Sequence, residues 1–369
     1  AYLHLLEEYA SRRLLFERQD TLASGVTDSH AIQVDPASQA AFYVTWPNAG
    51  AGLDLTLQTP GGATITPATA ESDPNVICLS GETYAYYLIN LPQTGVWTAN
   101  VGGGSVDGQP YALHSTGKAP AGRMPILLDP RLRGGRQQGQ ATTDKPLIVT
   151  TPLVDTAPVG ATINSMVTLP DGTQTELTLY DDGLHNDGDN NDGTYGNVVA
   201  PPLQQGIYDI TVVAGGVDGA GNPFQRVSHE AIQVVPPLNV EGGASVETVG
   251  SSQEFDLSFF YENASDEPLY DVTLQVQYDP NVSFVSADPP PDVGNNTWDL
   301  GALAPGEYAS LIITVRTGAG LSPGTVASSQ LQVLSGGAPV DTSVVALIVA
   351  GVPAILEAGA SPDTVEANG

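Results

Sequence analysis

Residues 42–57 read FYVTWPNAGAGLDLTL, and the period of this stretch decides the fold. Phe42, Val44 and Trp46 fall on one side of an extended chain, because strand side chains alternate between faces. Pro47, Asn48, Ala49 and Gly50 then form a run of turn residues, and Leu53, Leu55 and Leu57 repeat the pattern. The same period of two recurs at 83–91 (TYAYYLINL), 95–101 (GVWTANV) and 110–115 (PYALHS). Short alternating strands punctuated by Gly and Pro predict a β-sandwich or jelly roll over residues 26–117.

Toward the C-terminus the pattern is repeated twice. Candidate strands at 146–153, 161–169, 174–180, 206–214 and 224–235 give a second, Ig-like sandwich over 118–236. Beyond Pro236 and Pro237, strands at 253–262, 270–286, 296–301, 308–317, 325–334 and 341–349 give a third over 237–349. The expected fold class is therefore all-β, three tandem Ig-like or jelly-roll sandwiches. Residues 350–369, which carry Ile355 and Leu356, read as a linker, a strand tail or the first turn of a further module.

Toward the N-terminus the period changes. In 2–18 (YLHLLEEYASRRLLFER), Leu3, Leu6, Tyr9 and Ala10 recur at helical spacing, with Glu7, Glu8, Arg12 and Arg13 between or beside them. Residues 1–25 are therefore expected to hold one short amphipathic helix ahead of the sandwiches. Such a helix is marginal alone, so its partner is the first sandwich, an upstream domain or another subunit. Ala1 leads directly into this charged segment, which fits a mature product or a fragment whose export signal lay upstream.

The composition narrows the function. Eleven Lys and Arg face 41 Asp and Glu in 369 residues, for a net charge of −30. Such a field repels nucleic acid and anionic membranes and favours divalent cations. The basic residues gather in 117–145, where Arg133-Gly-Gly-Arg136 is a single copy, better read as a linker or first strand touching an acidic neighbour than as an RNA motif. Beyond Lys145 the basic residues are Arg226 and Arg316. No apolar run approaches the roughly 20 residues of a membrane helix. Cys78 is the lone cysteine, which rules out an internal disulfide and a zinc finger.

No catalytic set emerges. Gly320-Leu-Ser322-Pro-Gly324 satisfies G-x-S-x-G, but a nucleophile elbow needs a helix after the serine, and Pro323 with another strand follows. The five histidines have no metal-ligand spacing. The sharpest local signal is 181–195, DDGLHNDGDNNDGTY. Asp181, Asp182, Asp187, Asp189, Asn191 and Asp192 crowd hard oxygen donors onto a Gly-rich loop, a composition that suits Ca2+. Asp187, Asp189 and Asn191 copy the start of an EF-hand, but Gly193 is one place late and Val198 replaces the bidentate Glu. The alternative is a loop whose Asp and Asn bond their own backbone. Asn263, Asn281 and Asn295 open glycosylation sequons in the third module.

The residues also carry a resemblance. RRLLFERQDTLASG, FYVTWPNAGAGLDLTLQTPGG and GVWTANVGG, from Arg12 to Gly103, resemble the segment after the von Willebrand factor A domain in bacterial surface and secreted proteins. VTLPDGTQTELTLYDDG with NDGTYG resembles the sandwich that follows it there and in calcium-activated chloride channel regulators. FDLSFFYENASDEPLYDVTLQVQYDPNVSFVSA with LGALAPGEYASLIITVRTG is similar to the repeated bacterial surface domain labelled DUF11. The resemblance implies Ig-like folds, export to the cell surface and a non-enzymatic role, with helix 2–18 trailing an A domain. The D-x-S-x-S metal site of an A domain is not in these residues. With the two lysines near the linker, no Lys–Asn isopeptide bond is expected in the third module.

Together these readings lead to an extracellular structural subunit of a surface or filamentous assembly. Self-association through Leu3, Leu6, Phe16, Ile355 and Leu356 is expected. The alternatives are an adhesin for a glycan or protein, with Trp46, Trp97 and Tyr84/Tyr86/Tyr87 as stacking surfaces if they are not core, and an accessory region of a larger secreted protein.

Overall fold

Alternation in the sequence becomes alternation of burial. Along Tyr84–Asn90, Ala85, Tyr87 and Ile89 are buried while Tyr84, Tyr86 and Leu88 face outward. The computed structural model describes residues 12–104, 107–120, 126–135, 140–154 and 159–350. Their regular structure is almost wholly strand; the helical pieces are single turns, α1 (Pro67–Ala70) and a 3-10 turn at Ala49–Ala51.

The first sandwich is built from β1 (Arg13–Leu22), β2 (Asp28–Val34), β3 (Gln39–Thr45), β4 (Asp54–Gln58), β5 (Thr64–Ile65), β6 (Val76–Gly81), β7 (Tyr84–Asn90), β8 (Gly95–Gly102) and β9 (Gln109–Lys118). One sheet has the order β1-β9-β3-β7-β6 and the other β2-β8-β4-β5. Between them lie Phe42, Val44, Leu55, Leu57, Leu113 and Trp97, with the Phe42 and Trp97 ring centroids 5.3 Å apart. Burying each such side chain contributes roughly 1.5–3 kcal/mol.

The second sandwich follows with β10 (Leu127–Leu128), β11 (Arg131–Arg133), β12 (Gln140–Thr142), β13 (Leu147–Val154), β14 (Val159–Thr168), β15 (Gln174–Leu179), β16 (Thr194–Val199), β17 (Gly206–Val217) and β18 (Pro223–Val235). Its sheets are β12-β18-β17-β14-β15 and β10-β13-β11 with β16 on β13. Tyr208, Ile210, Val212, Phe224 and Ile232 fill its core. The first two sandwiches belong to one compact unit ending at Val235.

A second unit begins at Pro236. It contains β19 (Leu238–Ala244), β20 (Thr248–Val249), β21 (Glu254–Asn263), β22 (Leu269–Gln277), β23 (Val282–Asp288), β24 (Thr297–Leu303), β25 (Tyr308–Thr317), β26 (Val326–Ser335) and β27 (Ala338–Val349). Its sheets are β19-β21-β25-β23 and β20-β27-β26-β22-β24, closed over Phe259, Leu274, Trp298, Leu311 and Val333.

One expectation is corrected. Residues 13–18 belong to strand β1, not to a helix, and pair antiparallel with β9 from Arg13 opposite Gly117 to Leu22 opposite Gln109. The register shifts between Leu14 and Phe16, and Leu15 and Phe16 are both buried. A bulge here breaks the period of two and hides the strand in the sequence. Pairing along a ten-residue strand outweighs a marginal helix. Phe16, at 7% exposure, is a core residue and is withdrawn as a self-assembly contact. Leu3, Leu6, Ile355 and Leu356 lie outside the described residues. Of the two readings of 117–145, the strand reading holds for β10, β11 and β12, and Arg131 pairs with Asp129 at 3.0 Å.

Candidate functional site

Two side-chain constellations stand out in the second sandwich. The first is the acidic loop, which leaves β15 and returns as β16. Tyr180 and Gly196 close its neck by exchanging backbone hydrogen bonds of 3.0 and 2.8 Å. A side chain on Gly196 would meet the His185 carbonyl oxygen at 2.7 Å, so the loop can fold onto the strand only over a glycine. Asn186 and Asn191 take left-handed backbone with φ of 60° and 59°, which asparagine tolerates better than most residues.

Inside this path the acids face backbone rather than one another. The Asp187 carboxylate accepts from the N–H groups of Asp182, Gly183 and His185 at 2.5, 2.7 and 2.9 Å. Asp181 accepts from Asp192 and Gly193 at 3.1 and 3.0 Å, and Asp192 from Asp189 and Thr194 at 3.1 and 2.7 Å. Asp182 accepts from Leu184 and meets the His185 ring at 2.9 Å. Asp187 is 2% exposed, covered by its own loop rather than by a deep core. Burial opposes its charge, but the N–H groups of Gly183, His185 and Asp182 outweigh that and hold its carboxyl below the ordinary range. The His185 hydrogen bond lowers Asp182, and the backbone N–H groups of Thr194 and Asp189 lower Asp192.

Among the described residues no group of three or more His, Cys, Asp and Glu is placed to hold a metal ion. In this arrangement Asp181, Asp182, Asp187 and Asp192 act as caps of their own loop. Asp189 is exposed, and Asn191 donates to Asn190 at 2.8 Å. The backbone-bonded alternative describes the hydrogen bonds that Asp181, Asp182, Asp187 and Asp192 make.

The second constellation joins the first two sandwiches. Arg226 on β18 is 1% exposed, yet it is a cation. Its Nε donates to the Ile126 carbonyl at 3.0 Å, Nη1 to the Gln225 carbonyl at 2.8 Å and Nη2 to Asp35 at 2.9 Å. Asp35 follows β2 of the first sandwich. Beside it Val227 enters the core of the first sandwich, and its cross-strand partner Val213 packs against that core. A buried fork with every arm bonded fixes both position and orientation, which a lysine could not do.

The same joint carries opposing charge. Burial and the nearby Glu17 of β1 push the Glu230 carboxyl above its ordinary range; His229 counters them and Asp129 adds to them. A raised folded pKa contributes stability that is present below the unfolded value and lost as pH rises through the folded one. Glu230→Gln is therefore expected to raise the melting temperature at neutral pH. Thermal melts at descending pH should show that gain vanish once Glu230 itself is protonated.

The other candidates fall in ordinary places. Trp46 and Trp97 are 5% and 1% exposed, with indole N–H groups donating to the carbonyls of Glu82 and Gln93, so they are core. Tyr87 is buried as well, whereas Tyr84 and Tyr86 face outward. Asn263 is fully buried; its amide donates to the carbonyls of Glu267 and Leu303 and accepts from Ser265. That commitment removes it as a glycan acceptor in the folded chain. Asn281 is half-buried and Asn295 exposed. Ser322 lies in the turn region between β25 and β26. Arg226 and Asp35 were not singled out from sequence, although one of two basic residues in a long acidic stretch was the available signal.

Residues 139–234 match the family described as the conditioned medium factor 2nd Ig-like domain. A search of curated proteins finds no match. Among solved structures, the propeptide form of the Bacillus licheniformis lipase BlEst2 is similar at 11% identity and a TM-score of 0.31, over 59% of this chain and 40% of that one. Escherichia coli alpha-2-macroglobulin activated by porcine elastase is similar at 10% identity and a TM-score of 0.32, over 92% and 33%. Red sea bream transglutaminase follows at 11% identity and a TM-score of 0.26, over 62% and 32%. The chain thus spans between about a third and two fifths of those proteins. What the comparisons establish is an Ig-like β-sandwich within the second module.

Proposed function

We propose that the chain is a non-enzymatic structural part of an exported, cell-surface or extracellular protein, with its first two sandwiches acting as one rigid spacer. The observation that carries this reading is the buried joint at Arg226. Domains that only neighbour one another usually meet through polar, mobile contacts. Here a fully bonded guanidinium and two valines of the second sandwich are sunk against the first. The match of 139–234 to an Ig-like domain and the acidic composition support an extracellular setting. The acidic loop serves in this reading as a self-capped turn, and Ca2+ is the competing proposal that chelation decides. Burial of Trp46 and Trp97 weighs against the adhesin alternative, whose stacking surfaces they were to supply.

Single-molecule energy transfer tests the spacer directly. Dyes would be attached at Ser72→Cys and Thr173→Cys, both exposed sites, after Cys78→Ser. One narrow, static distance distribution is expected. A broad or exchanging distribution would show a hinge and overturn the reading.

A further inference from the structure

An open sheet edge offers a row of unpaired N–H and C=O groups, and proteins usually guard it with charge, proline, a bulge or a short strand. Three of the four edges of the first sandwich follow that rule. β1 has its bulge and carries Arg13, Glu17, Arg18 and Asp20, β2 opens on Asp28, and β5 is two residues long. The fourth edge does not. β6 reads VICLSG, without charge or proline, and pairs with β7 in unbroken register from Val76 opposite Ile89 to Gly81 opposite Tyr84. Its outward side chains are apolar, with Ile77 and Leu79 46% and 54% exposed. With Tyr43, Tyr84, Tyr86 and Leu88 they line a groove of about 600 Å³.

We infer that β6 is the pairing edge of a two-fold dimer, lying antiparallel to β6 of a second copy and joining the two five-stranded sheets into one. The hydrogen-bond alternation supplies the register. Asn90 donates to the Asn75 carbonyl at 2.8 Å, so Asn75, Ile77, Leu79 and Gly81 turn their backbone groups toward β7. Cys78 and Ser80 turn theirs to the open edge, while the Val76 N–H is bonded to the Asp73 carbonyl at 3.0 Å. A two-fold axis at Cys78 pairs that residue with its copy and brings the Ser80 N–H to the Val76 carbonyl of the second copy. The same axis sets Ile77 opposite Leu79 of the second copy, so the apolar strip continues across the joint. The edge is complementary to itself in this register, which favours a second copy over an unrelated strand. Charge agrees. Two chains of net charge −30 repel wherever acids face acids, and the six residues of β6 include no Asp or Glu. A six-residue edge is small against the roughly 20–30 residues per side of a stable interface, so micromolar or weaker affinity is expected. This contact is separate from the Arg226 joint, and either can fail alone.

Sedimentation of the full chain from about 1 µM to about 1 mM tests the dimer, with circular dichroism as the control for folding. The unmodified chain should pass from monomer to dimer and stop there. Ile77→Lys with Leu79→Lys sets ammonium against ammonium across the axis and should weaken dimerisation at least about tenfold. Ile77→Lys with Leu79→Glu sets ammonium against carboxylate in that register and should restore most of the association at low salt. Ser80→Pro removes an outward donor, leaves the β7 ladder intact and should also weaken the dimer. A chain monomeric throughout the range would overturn the inference, as would a dimer left unchanged by the first double variant or by Ser80→Pro. Equal loss of association in the two double variants would overturn the register and the two-fold pairing with it.

Discussion

Replacing Arg226 with alanine is expected to destabilise the first two sandwiches by about 3–5 kcal/mol, the usual cost of breaking a buried ion pair from one side. The side chain is 1% exposed, and its loss strips a donor from Asp35 and from the carbonyl of Ile126 at once. Asp35, at 19% exposure, can recover some water, whereas the Ile126 carbonyl faces the cavity left behind. Arg226→Lys should recover only part of the loss, because an ammonium cannot reproduce the three-armed fork. Urea unfolding of the full chain measures the effect, and the energy-transfer distribution across the joint should broaden in parallel. A loss below about 1 kcal/mol would place the joint among surface ion pairs.

The second large effect is expected at Asp187. Asp187→Ala leaves three N–H donors without their acceptor under a tightly folded loop, at a cost of about 2–3 kcal/mol. Asp189→Ala, at an exposed position, should stay within about 0.5 kcal/mol. The contrast separates the two readings of the loop. A bound Ca2+ would make both acids matter and would make the losses depend on free cation, whereas self-capping makes Asp187 matter equally with and without chelator. The carboxyls of Asp187, Asp182 and Asp192 are held below their ordinary range. Their contribution is therefore complete above the unfolded carboxylate range. It is lost as pH falls through the depressed folded values, so acid should soften the unmodified loop and leave Asp187→Ala less affected.

Much of the architecture was legible because burial on one face writes a period of two into the chain. Tyr84–Asn90 and Glu254–Asn263 alternate along their whole length and Tyr308–Thr317 from Ser310 onward, and each is a strand. β1 was misread because the helical spacing of Leu3, Leu6, Tyr9 and Ala10 was carried on to residue 18, while the bulge that buries both Leu15 and Phe16 hides the strand's period of two. The short β10, β11 and β12 were not placed one by one for a different reason: two or three residues carry too little pattern, and their pairing comes from other elements, β13 for the first two and the distant β18 for β12. The acidic loop was visible as composition, but composition counts oxygens and cannot say whether they point at a cation or at their own backbone. Arg226 was the least legible, since its partners Asp35 and Ile126 lie about 190 and 100 residues away in sequence.

The measurement closest to the central claim is scanning calorimetry of the full chain at neutral pH, with and without excess chelator. If the first two sandwiches are a single spacer locked at Arg226, residues up to Val235 melt in one two-state transition and the unit beginning at Pro236 melts separately. Chelator should leave both transitions in place. Separate melting of the first and second sandwiches, or a first transition that falls when the cation is removed, would contradict the account.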